Sequence, residues 1–541
     1  MKRIFLTIAL VFPLLISAQE KPKLVVGIVV DQMRYDYIDR YWERFGDNGF
    51  KKLVRNGYNC KNTHYNYMPT YTGPGHASIY TGTTPENHGI ISNHWYDKYT
   101  NTETYCTLDT LVNTIGSNSK DGKMSPNKLT STTITDELKL ANNHKGKTYG
   151  ISIKDRGAIL PAGHNANGAF WFEGGKTGKW ISSSFYMNDL PEWLNKINET
   201  SPAKKYLNKT WNTLYPIETY TQSISDDNHY EKLFKTEKTP TFPHNLPDLI
   251  DSNGNYSLIK STPFGNTILK ELALSLIKNE GLGKDNYTDF LSVSFSSTDY
   301  IGHHYGPMSV EIEDTYLRLD KEIAEIISHL EKNIGKENIL IFLTADHGAV
   351  NVPQYLIDNK LPGGYFYENE LDSNLKNFLK KEYQIDSLVK NVSNYQVFLN
   401  TELIQKNNWN LTAIESTIAN YLLTQPGIAK AVTSTALKNT EFTDRILANA
   451  QRGFNQTRSG NVLFILESGW VPFYKMKKGT THGSPYHYDT HVPLIWYGKK
   501  IKPGETNREI IIPDIAATIA QLLNIHAPSA CTGKPILEVI E

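Results

Sequence analysis

The chain has 541 residues, with 56 Lys plus Arg against 56 Asp plus Glu, and 21% of its residues are charged. That length supports a large core. The balanced charge excludes the broad basic footprint of a nucleic-acid-binding surface, so no nucleic-acid partner is expected; the sequence leaves the oligomeric state open and is compatible with a monomer. In chain order, the opening "MKRIFLTIALVFPLLISAQE" carries Lys2 and Arg3, then an apolar run, then Ser17-Ala18. This is the layout of an export signal cleaved after Ala18, and the run is short for a spanning helix. No later run is apolar for long enough to cross a bilayer. The mature protein therefore reads as exported, periplasmic or secreted, with no transmembrane segment and no cysteine near Ala18 for lipid attachment. Cys60, Cys106 and Cys531 cannot all pair and form no CxxC, so they read as structural.

Five short apolar, β-branched runs read as buried strands of a mostly parallel sheet: "KLVVGIVV" (23–30), "KTYGISI" (147–153), "DFLSVSF" (289–295), "NILIFLT" (338–344) and "HVPLIWYG" (491–498). Helical patterns lie between or after them, from Thr130, from Val310, and in "IPDIAATIAQLLNI" with Pro513 near its first turn. Strands alternating with helices predict an α/β domain, a central sheet flanked by helices, over 19–541. Two stretches break the alternation, about 160–285 and 355–470. They read as cap-like insertions, the second without a buried strand pattern.

The residues after each strand carry the chemistry. "KLVVGIVV" ends in Asp31, and "DFLSVSF" runs on to Asp299 and His303. "NILIFLT" runs on to Asp346-His347-Gly348, and "KTYGISI" to Lys154-Asp155-Arg156. Open α/β sheets bind ligands at the carboxyl ends of their strands, so these groups are predicted to share one edge. Asp299 and His303 are one helical turn apart. Asp346 and His347 are adjacent and converge only if the chain turns sharply, which Gly348 permits. The later "GTTHGSPYHYDTH" adds His482, again followed by glycine. Asp and His suit zinc, and these six side chains are enough for two ions.

"NYMPTYTGPGHASIY" (66–80) is neither a strand nor a clean amphipathic helix. It reads as a loop through Gly73-Pro74-Gly75 that enters a helix at "HASIYTG". Thr72 then lies just before the helix start, where backbone N–H groups and the dipole favour anions. Thr70 and Ser78 compete with it, but Ser78 falls inside the helix. A threonine hydroxyl needs a base or metal to become a nucleophile, and a two-metal site provides for in-line displacement at phosphorus. Thr72 is the predicted catalytic nucleophile, itself a partner of the metal site.

"VVGIVVDQMRYDY", "MPTYTGPGHASIYTGTTPENHGIISNHWYD", "IKDRGA", "SSTDYIGHHYGP", "LTADHGA" and "GTTHGSPYHYDTHVPL" together resemble the alkaline phosphatase superfamily, in its PafA-like branch of exported phosphomonoesterases with a threonine nucleophile. The resemblance implies two Zn2+ per chain. Asp31, Asp346 and His347 would hold one, with Thr72, and Asp299, His303 and His482 the other. His482 is preferred to His487 and His491 for its following glycine. Asn93, Lys154 and Arg156 would bind the phosphate oxygens. The implied reaction is hydrolysis of small phosphate monoesters, of broad specificity, through a phosphoryl-threonine. A phosphodiesterase or nucleotide pyrophosphatase shares the ligands and the threonine; the Lys154–Arg156 pair favours the monoesterase. "TYTGPGH" lacks the Cys/Ser-x-Pro-x-Arg context of a sulfatase. A catalytically silent metal-binding protein would have lost a ligand or the nucleophile, and none is missing.

Overall fold

In the computed structural model, which describes residues 21–473 and 477–540, all five predicted runs contribute a strand to one ten-stranded sheet. At its centre Ile339–Thr344, Leu24–Val30, Asp289–Phe295, Thr148–Ser152 and Gly168–Phe172 lie side by side and parallel. Every residue in these five strands is buried. Burial on both faces is why their sequences are apolar without alternation. Leu494–Gly498 also joins the sheet, but antiparallel to Ile339–Thr344. Pro493 divides the run read as one strand, and His491–Val492 pairs with Thr63–His64 in a separate small sheet.

Helices form two layers. Thr72–Thr81, Ile134–Ala141, Asp155–Ala162 and Asp514–Leu523 pack together on one side; Phe50–Asn56, Phe264–Glu280 and Val310–Asn333 pack together on the other. The helix expected from Thr130 starts at Ile134, because Thr133 accepts the Asp136 N–H and Asp136 returns the bond in a capping box. Pro513 is the residue before the last of these helices, whose first residue is Asp514.

The first interrupting stretch is not wholly outside the sheet, since Gly168–Phe172 and Trp180–Ser183 are two of its strands. The second contains strands that the sequence reading missed. Val389–Ser393, Gln396–Leu399, Val462–Leu466 and Ile428–Thr433 make an antiparallel sheet with its own core, which includes Leu375, Val397, Ile418 and Phe464. Val389–Ser393 and Ile428–Thr433 are only partly buried, so they lack the continuous apolar signature.

Among the described residues no helix is long and apolar enough to cross a membrane, and Cys60, Cys106 and Cys531 form no disulfide. The stretch read as an export signal lies outside the described residues.

Candidate active site

Strand register brings the chemistry to one edge. Val30 is level with Phe295, Val29 with Thr344, and Ser294 with Ser152. The residues that follow, Asp31, Asp299, Asp346 and Lys154, therefore emerge together, as the carboxyl ends of parallel strands must. The helix Ser297–Tyr305 carries Asp299 and His303 on one face, with His303 Nε2 3.1 Å from Asp299 Oδ1. Gly348 serves by its size and not by a left-handed turn: a Cβ there would lie 2.2 Å from the Tyr488 carbonyl. Gly483, after His482, does have a positive φ of 125°. Asp489 joins the two His-Gly turns, a role the sequence did not signal. Its carbonyl accepts the Gly348 N–H at 2.8 Å, and its carboxylate accepts the N–H groups of Gly483 and Ser484 at 3.0 and 2.7 Å.

Three imidazoles are set in one tautomer. His303, His347 and His482 each direct Nδ1 at a backbone carbonyl, of Thr480, Gly348 and Thr70, at 2.8, 2.9 and 2.7 Å. A carbonyl only accepts, so Nδ1 carries a hydrogen and Nε2 is the nitrogen left to bind a metal when the ring is neutral. Carbonyl-backed imidazoles are the usual support of a metal ligand.

Around His347 the acceptors are unpartnered. Asp31 Oδ1, Asp346 Oδ2 and His347 Nε2 are buried without a hydrogen bond. His347 Nε2 stands 3.6 Å from Asp31 Oδ1 and 3.5 Å from Asp346 Oδ2. Ligand atoms at zinc-bond length in a tetrahedron lie roughly 3.3 Å apart. Three buried acceptors within 4.8 Å of one another, His347 Nε2 at about the tetrahedral spacing from each oxygen, are an arrangement a cation would satisfy. A second group, Asp299, His347 and His482, likewise has its ligand atoms within 4.8 Å of one another, and His303 joins it at Asp299. The two groups meet through His347, whose ring stacks on His482 with centroids 3.4 Å apart. The residues fit a pair of divalent ions. His487 and His491 lie elsewhere, against Arg445 and the Lys61 carbonyl.

Electrostatics follow from this crowding. Burial, then the negative charge of Asp31, raises Asp346 well above the usual carboxylate range. Burial opposes ionisation of Asp299, but His303 and Lys154 outweigh it and hold Asp299 well below that range. Burial lowers His347 and His482. Burial alone would lower Lys154, yet Asp299 and Asp31 keep it firmly charged.

Thr72 is the first residue of the helix Thr72–Thr81, and not the residue before it. Helical bonding begins with the Gly75 N–H on the Tyr71 carbonyl at 2.8 Å, so Gly73-Pro74-Gly75 is the first turn. Proline is tolerated there because its missing N–H has no intrahelical partner. Gly75 is needed for close packing: a Cβ would lie 2.4 Å from the Asp346 carbonyl. The hydroxyl of Thr72 is thus at a helix N-terminus, as anion binding requires. Thr70 and Ser78 are engaged elsewhere, with the Ser484 carbonyl and His88.

Lys154 Nζ is 2.6 Å from both Asp31 Oδ2 and Asp299 Oδ2 and 3.5 Å from Thr72 Oγ1. It therefore links the hydroxyl to both carboxylate groups. Arg156 donates to the Tyr105 hydroxyl at 3.0 Å, while its buried Nε has no partner. Asn93 Oδ1 accepts the Gly73 N–H at 2.7 Å, one of the otherwise unsatisfied donors at the start of the helix. A cavity of about 420 Å³, lined by Tyr71, Lys232, His303, Phe473 and Thr480 among others, opens beside this centre.

Residues 25–489 match the family described as type I phosphodiesterase / nucleotide pyrophosphatase. Over 97% of its length the chain is 42% identical to alkaline phosphatase PafA of Elizabethkingia meningoseptica, covering 95% of that protein. A crystal structure of wild-type PafA superposes with a TM-score of 0.92 at 41% identity, over 96% of this chain and 99% of that one. The chain belongs to the alkaline phosphatase superfamily, in its PafA-like branch. It is 44% identical to alkaline phosphatase PhoV of Synechococcus elongatus, over 98% of this chain and 94% of that one. It is also 47% identical to a Myroides odoratus protein named calcium-transporting ATPase, over 96% and 95%. A murine ectonucleotide pyrophosphatase / phosphodiesterase 5, at 13% identity and a TM-score of 0.51, shares the superfamily fold.

Proposed function

We propose that the protein is an exported, zinc-dependent phosphomonoesterase that works through a phosphoryl-threonine at Thr72. The observation that carries this reading is Lys154 Nζ, held between Asp31 and Asp299 and 3.5 Å from Thr72 Oγ1. It supports reading the Thr72 hydroxyl as a nucleophile beside a cation and two sets of candidate metal ligands. Asp31, Asp346 and His347 would hold one zinc, and Asp299, His303 and His482 the other. Bound zinc supplies Lewis-acid stabilisation of oxyanions and lowers the pKa of a nearby hydroxyl or water.

The chain's own residues do the rest. Thr72 Oγ attacks phosphorus in line; the Oγ–P bond forms, the P–O bond to the alcohol breaks, and the alcohol leaves with a proton. Water then attacks the phosphoryl group, releasing inorganic phosphate and restoring the Thr72 hydroxyl. Two in-line displacements give net retention at phosphorus. Lys154, the unpartnered Nε of Arg156 and the N-terminus of the Thr72 helix stabilise the non-bridging oxygens, over which the charge of the transferring phosphoryl group is spread. Asn93 keeps the first turn in place by accepting the Gly73 N–H.

The relatives named alkaline phosphatase support this reading. So does a solved PafA mutant changed at a threonine, an asparagine, a lysine and an arginine, in that chain order. The order is that of Thr72, Asn93, Lys154 and Arg156 here. The second reading, a phosphodiesterase, is favoured by the matching family's description. For the transport in the Myroides odoratus protein's name, the described residues contain no membrane-crossing helix.

The deciding experiment is the ratio of kcat/KM for p-nitrophenyl phosphate and bis-p-nitrophenyl phosphate on zinc-loaded protein, with Thr72→Ala alongside. A strong monoester preference, lost with turnover in Thr72→Ala while zinc content holds, supports the proposal. A diester preference moves the protein to the phosphodiesterases. Retained activity in Thr72→Ala refutes the nucleophile.

A further inference from the structure

Gln32 follows Asp31 at the end of the central strand and has a φ of 63°, left-handed for a side chain that gains nothing locally from it. Its side chain is 2% exposed. Strain of this kind persists only where surroundings enforce it, and it collects at functional sites. The φ has a visible result: it turns both hydrogen-bonding groups of Gln32 toward the two ligand sets. Its backbone N–H donates to Asp346 Oδ1 at 3.1 Å, leaving Asp346 Oδ2 to face His347. Its side-chain Nε2 donates to Asp299 Oδ1 at 2.7 Å. A carboxylate only accepts, so the amide nitrogen must be the atom facing Asp299. The amide oxygen is backed by Gly302, where a Cβ would lie 1.9 Å away. One residue thus touches a carboxylate of each set, by main chain on one side and side chain on the other.

We propose that Gln32 is a positioning residue that orients Asp299 for the second ion and ties its placement to that of the first. The inference rests on the two-metal reading given above. Hydrogen bonds to metal-binding carboxylates typically alter metal affinity 10- to 100-fold. The two links are separable. Gln32→Gly keeps the backbone N–H and accommodates a positive φ, and deletes only the side-chain link; Gln32→Met keeps the volume and removes the donor.

The test is a zinc titration of the metal-free full-length chain against a chromogenic chelator, resolving affinities for each ion. Wild type is expected to bind two. In both variants one affinity is expected to fall about 10- to 100-fold, while the other stays within about twofold. kcat/KM is expected to drop at limiting zinc and to recover as zinc is raised. Two unchanged affinities, or two that fall equally in both variants, overturn the role of Gln32 while leaving the two-metal reading intact. A wild-type chain that binds fewer than two zincs overturns the two-metal reading, and this inference with it.

Discussion

Replacing Lys154 by methionine removes one charge from the centre of the site and little volume. Lys154 Nζ lies 3.5 Å from Thr72 Oγ1, so charge on a phosphoryl group bonding to that oxygen is roughly 4 Å from the ammonium. At an effective dielectric near 20, a unit charge at that distance interacts with it by about 4 kcal/mol. A monoester dianion carries one more unit of negative charge than a diester monoanion. At about 1.4 kcal/mol per decade, Lys154→Met should lower kcat/KM about 1000-fold more for the monoester than for the diester. Metal binding should not suffer, because the lysine also neutralises Asp31 and Asp299 at 2.6 Å each. Without it, both carboxylates are freer to hold a cation. The assay is kcat/KM for p-nitrophenyl phosphate and bis-p-nitrophenyl phosphate at saturating zinc, with zinc content measured on the same samples. Equal losses on both substrates, or a fall in bound zinc, would refute the reasoning and make Lys154 a structural ion-pair residue.

Two further changes test the frame around the site. Gly75→Ala places a methyl 2.4 Å from the Asp346 carbonyl; separating helix from strand end should cost about 1–3 kcal/mol of stability and on the order of 100-fold in kcat/KM. Thermal unfolding and kinetics check both, and an unchanged kcat/KM would show that this contact does not set the position of Thr72. Glu322, remote from the site, is pushed up to about 8 by burial, with one oxygen on Thr267 and the other unpartnered. Below its ordinary value of 4.5 both states hold the proton, and from there to about 8 only the folded chain does. Its contribution to stability therefore falls as pH rises through that window and levels off above it. Glu322→Gln should flatten the slope and gain up to a few kcal/mol at pH 8 relative to pH 5. Parallel stability–pH curves for variant and wild type in denaturant melts would count against this.

The second sheet shows why some of the fold was illegible. Val389–Ser393 buries only Val389 and Val392, three positions apart across a register shift, so it shows neither the alternation of a half-buried strand nor a continuous apolar run. The direction of Leu494–Gly498 was likewise hidden, because a buried apolar run reads the same in either orientation. The helix start was misplaced for a related reason. Gly73-Pro74-Gly75 carries the composition of a loop, and only the packing of Gly75 on Asp346 shows that the glycine is there for space.

What the sequence determined by itself was most of the strands buried on both faces, Gly168–Phe172 excepted, and the candidate site residues that follow them. A parallel strand covered by helices must be continuously apolar, and its carboxyl end is where polar groups can meet a ligand. Asp31, Asp299, His303, Asp346, His347 and Lys154 were legible for that reason, as was Thr72 as a candidate hydroxyl. Tertiary structure alone decided which groups share an atom's reach. His347 touching both ligand sets, Lys154 standing between two aspartates, and Gln32 and Asp489 bracing the turns all depend on register and loop packing across hundreds of residues. Those distances are set by the whole core, and no local pattern of residues encodes them.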